Sequence, residues 1–208
     1  MNLILGCDPG LGTTAAVLYD PQQDAVVATD SWAFGPGEGY DAKRVHMYCG
    51  ALVTFIVRHA PVGILAIEDQ QTNLGPPKRA SGTRTLPASI QAAVGDTRAG
   101  NAGERGARAE RGAKNSAMIR LAALRGALEQ VGMEAGLQVV RVQPQQAKRA
   151  LTGKPVATKA QMQEAANSQY GLTGVCGPKR DWPPDHVADA LGIALAGNAK
   201  LKREDWHE

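Results

Sequence analysis

Cysteines and long apolar runs are scarce in this 208-residue sequence. Its three cysteines, Cys7, Cys49 and Cys176, lie far apart, form no CxxC pair and are odd in number, which argues against a disulfide framework or a thiolate zinc site. No stretch approaches the roughly 18 apolar residues of a membrane span, and the first residues lack the basic region of a signal peptide. We therefore expect a soluble protein of the reducing cytoplasm that does not engage a membrane.

Net charge is also small, at +3, but it is unevenly distributed. Residues 72–114 carry eight Lys or Arg against three acidic residues, so the rest of the chain is slightly acidic. This segment is rich in Gly, Ala and Pro and has almost no apolar periodicity, which predicts a flexible insertion rather than a second domain. A basic insertion on an acidic body favours a polyanionic partner, and a solvated surface loop is the simpler alternative.

Apolar periodicity predicts a mixed α/β layer fold. Three short apolar segments near the N-terminus, separated by turns, are typical of an antiparallel meander, and further strands alternate with helices after it. The predicted strands cover residues 2–8, 13–20, 24–34, 62–68 and 137–142. The predicted helices cover residues 41–59, 115–133, a short stretch opened by Pro144, 158–169 and 185–199.

Two of the predicted core strands end on an acidic residue. Asp8 ends the first strand before a Pro-Gly-Leu-Gly turn, and Glu68 ends the run VGILAIE. An ionised carboxylate at the end of a core strand is costly unless a cation, a proton or several donors compensate it. Because neighbouring strand ends can meet at one edge of an α/β sheet, we expect a divalent metal between the two carboxylates. A turn-capping role for Asp8 and a surface position for Glu68 are the alternatives.

The last predicted helix adds further candidate ligands in the stretch PPDHVADALGIALA. Helical spacing places Asp185, His186 and Asp189 on one face, while Val187 and Leu191 point the other way. This polar patch on an otherwise apolar helix predicts metal ligands, although Asp185 is better explained as a helix N-cap. Hard oxygen ligands favour Mg²⁺ or Mn²⁺, and a pair of such ions can hydrolyse a phosphodiester.

Five segments, taken in order, resemble the RuvC family of Holliday-junction resolvases within the RNase H-like superfamily. The resemblance covers most of the chain apart from the insertion, and the glycine turn alone would be a weak signal. It implies one RNase H-like nuclease domain over residues 1–208, a mixed sheet of three antiparallel N-terminal strands plus parallel strands, flanked by helices, with the basic insertion at about 72–114. The segments are LGCDPGLGTTAAVLYD, GILAIED, KNSAMIRLAALRGAL, VQPQQAKRALTGKPVATKAQMQ and DHVADALGIALA.

The resemblance also implies an activity and its residues. Members of the family are metal-dependent homodimers that nick two opposed strands of a four-way DNA junction, leaving 5′-phosphate and 3′-hydroxyl ends. The helix at 115–133 would lie at the twofold interface, and a branch-migration motor would be a further partner. The implied metal-binding catalytic residues are Asp8, Glu68, His186 and Asp189. Two lysines, Lys148 and Lys159, fall where the family has lysines near the scissile phosphate; on the sequence alone they would be ordinary surface lysines.

One feature of the family pattern is missing. RuvC proteins usually carry an aromatic residue soon after the catalytic Glu, which stacks on a base at the junction centre. Here no Phe, Tyr or Trp occurs from Ile56 through Gln169, and neither Leu74 nor Trp182 is a clear substitute. We expect the insertion to replace stacking by electrostatic contacts with phosphates. The predicted DNA contacts are Lys78, Arg79, Arg84, Arg105, Arg108, Arg111, Lys114 and Asn115.

Two other functions compete with junction resolution, and a third, a non-catalytic nucleic-acid-binding relative, is disfavoured because all four metal-ligand positions are filled. The missing aromatic favours an RNase H-like nuclease that cuts flaps, RNA–DNA hybrids or other branched DNA. The turn DPGLGTTAAV is also similar to the phosphate-binding turn of actin-like ATPases and sugar kinases. Those enzymes need a second such lobe, which the C-terminal half does not supply.

Overall fold

The computed structural model describes residues 3–33, 42–69, 100–172 and 184–204, with only the backbone described at 42, 100–116, 184 and 203–204. None of the helices within these ranges is long and apolar enough to cross a membrane. The strands are β1 (Leu3–Asp8), β2 (Thr13–Asp20), β3 (Ala25–Ala33), β4 (Val62–Glu68) and β5 (Gln138–Val142). The helices are α1 (Ala42–Arg58), α2 (Gly100–Glu134), α3 (Pro144–Thr152), α4 (Lys159–Tyr170) and α5 (Pro184–Glu204).

The five strands form one mixed sheet in the order β3-β2-β1-β4-β5. The first three strands pair antiparallel, whereas β1, β4 and β5 run parallel. The predicted fold class is confirmed, including the antiparallel meander followed by parallel strands. Strand β1 is buried beyond its first residue and β4 is buried over its middle four residues, which explains their apolar sequences.

Side chains of the sheet alternate between two apolar layers. One layer packs against α1 and α2, through residues such as Leu5, Leu18, Leu52 and Leu128. The other layer packs against α3, α4 and α5. The sheet is therefore covered on both faces, and α5 crosses the face that carries Ile4 and Ala66.

Helix α5 lies very close to the sheet because glycines remove side chains at the contact. A Cβ atom on Gly6 of β1 would lie 2.1 Å from the carbonyl oxygen of Ala190. A Cβ on Gly197 would lie 2.7 Å from the Cβ of Ala66 on β4. This close approach fixes the first turns of α5 beside the carboxyl ends of the central strands.

Helix α2 begins fifteen residues earlier than the predicted helix at 115–133. Its first part, residues 100–114, belongs to the predicted insertion. Apolar periodicity could not reveal it, because this stretch has no apolar face and its four glycines lower the helix propensity that its Ala, Arg and Glu residues confer.

The chain groups into two compact units, residues 1–70 with 120–208 and residues 71–119. The single-domain organisation and the flexibility of the insertion stay predictions. Leu74 and Trp182 lie outside the described residues, as do three of the predicted DNA contacts, Lys78, Arg79 and Arg84. The other five predicted DNA contacts lie on the α2 backbone without described side chains: Arg105, Arg108, Arg111, Lys114 and Asn115.

Candidate active site

The two predicted strand-end carboxylates lie at the same edge of the sheet. Strands β1 and β4 are parallel neighbours with Cys7 opposite Ile67, so Asp8 and Glu68 follow side by side. The side chain of Asp8 is buried, with the residue only 6% exposed. The sheet thus brings together two acidic residues that are 60 positions apart in the sequence.

Asp8 has a partner from the first turn of α5. The Nδ1 atom of His186 lies 2.7 Å from Oδ2 of Asp8. This hydrogen bond raises the pKa of His186 above its ordinary value, which partial burial opposes. A Cβ on Gly10 would lie 3.6 Å from the His186 ring, so the glycine turn after β1 passes beside the imidazole. The carboxylate at the end of the core strand is therefore compensated by a hydrogen-bonded histidine.

Asp189 lies one turn further along α5 and faces the same cluster. Burial, followed by repulsion from Asp8, raises the pKa of Asp189 to about 6. Two carboxylates that repel each other in a partly buried site would be stabilised by a bound cation, so their repulsion is consistent with a cation-binding site. The helical HxxD spacing therefore places both of its polar residues beside Asp8.

Asp185 makes a different contact from the other acidic residues. Its carboxylate accepts a hydrogen bond from the ammonium of Lys159 at the start of α4. Burial would raise the pKa of Asp185, but the bond from Lys159, a backbone hydrogen bond and the charges of His186 and Lys159 together outweigh it, and the pKa is lowered. A metal ion at Asp185 would thus compete with the ion pair that this residue makes with Lys159.

A cleft of about 190 Å³ opens beside this cluster. Both predicted lysines line it, Lys148 from α3 and Lys159 from α4, together with Glu68 and Asp189. The remaining lining residues are Pro144, Ala147, Met162 and Ile193. All six predicted catalytic residues therefore lie in this cleft or in the adjoining Asp8–His186 pair.

The contacts that fix the chain directly after Glu68 were not predicted. The backbone N–H of Asp69, directly after Glu68, donates to the carbonyl of Val142 at 2.6 Å. The side chain of Asp69 accepts a bond from Arg125 of α2 at 2.9 Å. Because Arg125 lies 56 residues away, no local pattern signals this pair.

The donor chemistry of the cluster fits a hard divalent cation. Asp8, Glu68 and Asp189 supply carboxylate oxygens and His186 supplies a ring nitrogen, the ligand types that Mg²⁺ and Mn²⁺ accept. Within the described ranges, no three His, Cys, Asp or Glu side chains are grouped closely enough to form a finished metal site. Two features therefore suit a divalent cation: the types of ligand atom present, and the repulsion between Asp8 and Asp189, which a cation would relieve.

Removing the charge of Asp189 is expected to stabilise the metal-free protein near neutral pH. Because its pKa is higher in the folded state than in the unfolded chain, the ionised form costs stability as pH rises from about 4 through 6. Asp189→Asn should raise the free energy of unfolding by up to about 2 kcal/mol above that range. Urea unfolding with a chelator present measures the difference. The difference in free energy of unfolding between variant and wild type should shrink toward about pH 4. A variant that is less stable than the wild type at neutral pH would contradict the raised pKa of Asp189.

Comparisons with known proteins agree on one family. The family model described as "Crossover junction endodeoxyribonuclease RuvC" matches residues 111–197. A curated protein of that name from Gloeobacter violaceus is 40% identical over 79 residues, which is 38% of this chain and 42% of that protein. The match thus spans less than half of the relative's length. The family-model match contains His186, Asp189, Lys148 and Lys159 and leaves out Asp8 and Glu68.

Solved structures extend the likeness to the whole fold. RuvC from Thermus thermophilus matches with a TM-score of 0.60 at 19% identity, covering 97% of this chain and 96% of that one. The T. thermophilus RuvC structure in complex with a Holliday junction substrate matches with a TM-score of 0.62 at 18% identity, covering 98% and 96%. At such low identity these matches establish the fold. With the family model, they confirm the resemblance stated from the sequence.

Proposed function

We propose, from the confirmed resemblance to the RuvC family, that this chain is a metal-dependent endonuclease that resolves four-way DNA junctions. The observation that carries the proposal is that Asp8 and Glu68 end two neighbouring parallel strands and that α5 brings His186 and Asp189 beside Asp8. Two lysines line the same cleft. The crossover junction endonucleases that match this chain supply the reaction class.

Asp8, Glu68, His186 and Asp189 are the residues that would hold the metal, which we propose to be Mg²⁺ or Mn²⁺ with two ions per site. When bound, such ions lower the pKa of an attacking water and stabilise the departing 3′ oxygen. This chemistry suits a cluster in which burial and Asp8 hold the pKa of Asp189 at about 6 without a cation.

The protein's own side chains prepare the phosphodiester for attack. Lys148 and Lys159 would neutralise the charge of the scissile phosphate, because both line the cleft that contains Glu68 and Asp189. The apolar wall of Met162 and Ile193 limits the water around that phosphate. In-line hydrolysis then leaves a 5′-phosphate and a 3′-hydroxyl.

The proposed substrate is branched DNA, gripped mainly through its phosphates. The predicted basic residues between 78 and 114 would provide this grip. The logarithm of the binding constant should then fall with the logarithm of the salt concentration, with a slope of about −0.9 for each duplex phosphate neutralised. A branch-migration motor remains a proposed partner. We place the protein in the cytoplasm, where the free thiols of Cys7 and Cys49 would stay reduced.

We propose a homodimer that joins two copies through α2. The exposed positions Ala123, Gly126, Gln130 and Met133 recur at spacings of three and four, which forms one stripe along the helix. A Cβ on Gly126 would meet nothing within 4 Å, so a partner helix could approach there. A twofold assembly matches the two equivalent strands of a junction.

Ala123→Glu is expected to convert the dimer to a monomer, because it places a charge in the proposed helix contact. Sedimentation velocity measures the change in mass. Val57→Glu on α1, where the side chain is 72% exposed, introduces the same charge elsewhere and should leave the dimer intact. The proposed interface would be contradicted if the wild type were monomeric, or if Ala123→Glu and Val57→Glu both formed dimers to the same extent.

A second candidate function remains, because no aromatic residue follows Glu68. An RNase H-like nuclease for flaps or RNA–DNA hybrids would need the same metal-binding residues without a stacking side chain. Comparing initial cleavage rates on a four-way junction, a flap and a hybrid at equal salt separates the candidates. Preferential junction cleavage that requires a divalent metal supports the proposal, and faster flap or hybrid cleavage overturns it.

A further inference from the structure

We infer that Asp185 is a positioning residue, which anchors the ammonium group of Lys159 at the wall of the catalytic cleft and keeps it from pairing with Asp189 and Asp8. The inference rests on the proposed function and assigns Asp185 a role other than metal binding. It follows from three observations about the contact, the surroundings of the lysine and the position of the carboxylate.

The first observation is the contact between two elements that meet at the cleft. Lys159 is the first residue of α4 and Asp185 lies in the first turn of α5. The lysine ammonium donates directly to Oδ2 of Asp185. The lysine side chain is 71% exposed whereas the carboxylate is only 21% exposed, so the aspartate is the fixed partner. A long side chain that would otherwise sample many rotamers is thereby held at one point.

The second observation is that Lys159 is surrounded by other carboxylates. Besides Asp185, both Asp189 and Asp8 act electrostatically on its ammonium group. Without the anchor, the ammonium would be drawn toward these two residues, which belong to the proposed metal-binding set. A lysine in that position would compete with a divalent cation for the same oxygen atoms.

The third observation is that α4 has a firmly defined start. Thr158 caps the helix by accepting a bond from the backbone N–H of Gln161, and the Gln161 side chain accepts from the N–H of Thr158. The backbone of Lys159 is thus fixed by this capping box. Only the direction of its side chain is left to be set, and Asp185 sets it.

The anchor has two consequences for the site. The lysine charge stays at the cleft wall, where a phosphate can reach it, and the carboxylates of Asp8 and Asp189 stay available for a cation. Removal of the Asp185 carboxylate should therefore weaken metal binding only when Lys159 is present, because the freed lysine would then occupy the place of the cation. An aspartate that acted as a metal ligand would behave differently, because its loss would weaken metal binding with or without the lysine.

A double-mutant cycle distinguishes the two roles. Calorimetric titration of Mn²⁺ into the DNA-free protein compares wild type, Asp185→Asn, Lys159→Met and the double variant. We expect Asp185→Asn to weaken Mn²⁺ binding about fivefold in the wild-type background and less than about twofold in the Lys159→Met background. Equal weakening in both backgrounds, or none in the wild type, would overturn the inference.

Two further variants control for folding and for charge. Asp185→Glu keeps a carboxylate near the lysine and should retain Mn²⁺ affinity within about twofold. Glu164→Gln removes the same charge from the exposed face of α4 and should leave both folding and Mn²⁺ binding unchanged. Thermal unfolding of each variant verifies that the fold persists. A loss of affinity in Glu164→Gln as large as that in Asp185→Asn would mean that net charge alone controls Mn²⁺ binding.

Nicking kinetics separate this inference from the proposed function. With saturating Mn²⁺, Asp185→Asn should lower kcat about tenfold on a four-way junction with KM nearly unchanged, because phosphate positioning and not DNA binding is affected. The wild type could bind Mn²⁺ and the variants could show the expected double-mutant pattern while branched DNA is not cut. That result would overturn the proposed function but support the role of Asp185. A wild type that binds no Mn²⁺ would overturn both.

Discussion

Asp8→Asn is expected to reduce junction cleavage by at least about 10³-fold while DNA binding stays unchanged or becomes slightly tighter. Asp8 ends β1 at the sheet edge, is 6% exposed and contacts His186. The asparagine keeps the size and most of the hydrogen bonding but removes the negative charge that a cation requires. The same change reduces repulsion of the DNA phosphates, which explains why binding should not suffer.

Single-turnover cleavage and a gel-shift titration measure the two effects on the same junction. Asp30→Asn provides a matched control, because Asp30 lies on the outer strand β3, where its carboxylate accepts a bond from the Ser31 N–H. That variant should cleave at nearly the wild-type rate. Substantial cleavage by Asp8→Asn, or loss of DNA binding, would show that Asp8 has a structural role instead.

Gly6→Ala is expected to destabilise the protein by about 3 kcal/mol or more and to abolish cleavage. The added Cβ would lie 2.1 Å from the carbonyl oxygen of Ala190 and 2.8 Å from the backbone N of Ala194. Because these are backbone atoms of a buried helix, α5 must move away from β1 as a unit. That movement would also separate His186 from Asp8.

Urea unfolding and junction cleavage measure both consequences. Gly50→Ala is the control, because a Cβ there would meet nothing within 4 Å and the position is an exposed part of α1. This substitution should stabilise the protein by about 0.5–1 kcal/mol through its helix propensity. A Gly6→Ala protein of wild-type stability would contradict the close packing of α5 on the sheet.

The strands of the sheet were predictable because a strand that is buried on both faces has a continuous run of apolar residues. The central strands are continuous apolar runs, and Asp8 and Glu68 interrupt that pattern at the strand ends. Helix α5 was predictable for a similar reason, since its polar residues occupy one face near its start. The beginning of α2 was not, because residues 100–114 lack an apolar face.

Individual hydrogen bonds and ion pairs between elements that are distant in sequence were not predictable. The pairing of Lys159 with Asp185 depends on how the starts of α4 and α5 meet, and neither residue is unusual in its local sequence. The bond from Arg125 to Asp69 depends likewise on the packing of α2 against the sheet. Sequence patterns therefore pointed to the acidic residues of the candidate site, and the fold supplies partners for some of them.

The most direct test of the proposed function is to map the nicks on all four strands of a mobile four-way junction. Wild type and Asp8→Asn would be compared with Mg²⁺, with Mn²⁺ and with a chelator. The account predicts paired nicks at symmetric positions on two opposed strands, with 5′-phosphate ends, that require both the metal and Asp8. Unpaired nicks, or no junction cleavage alongside efficient cutting of flaps or hybrids, would contradict it.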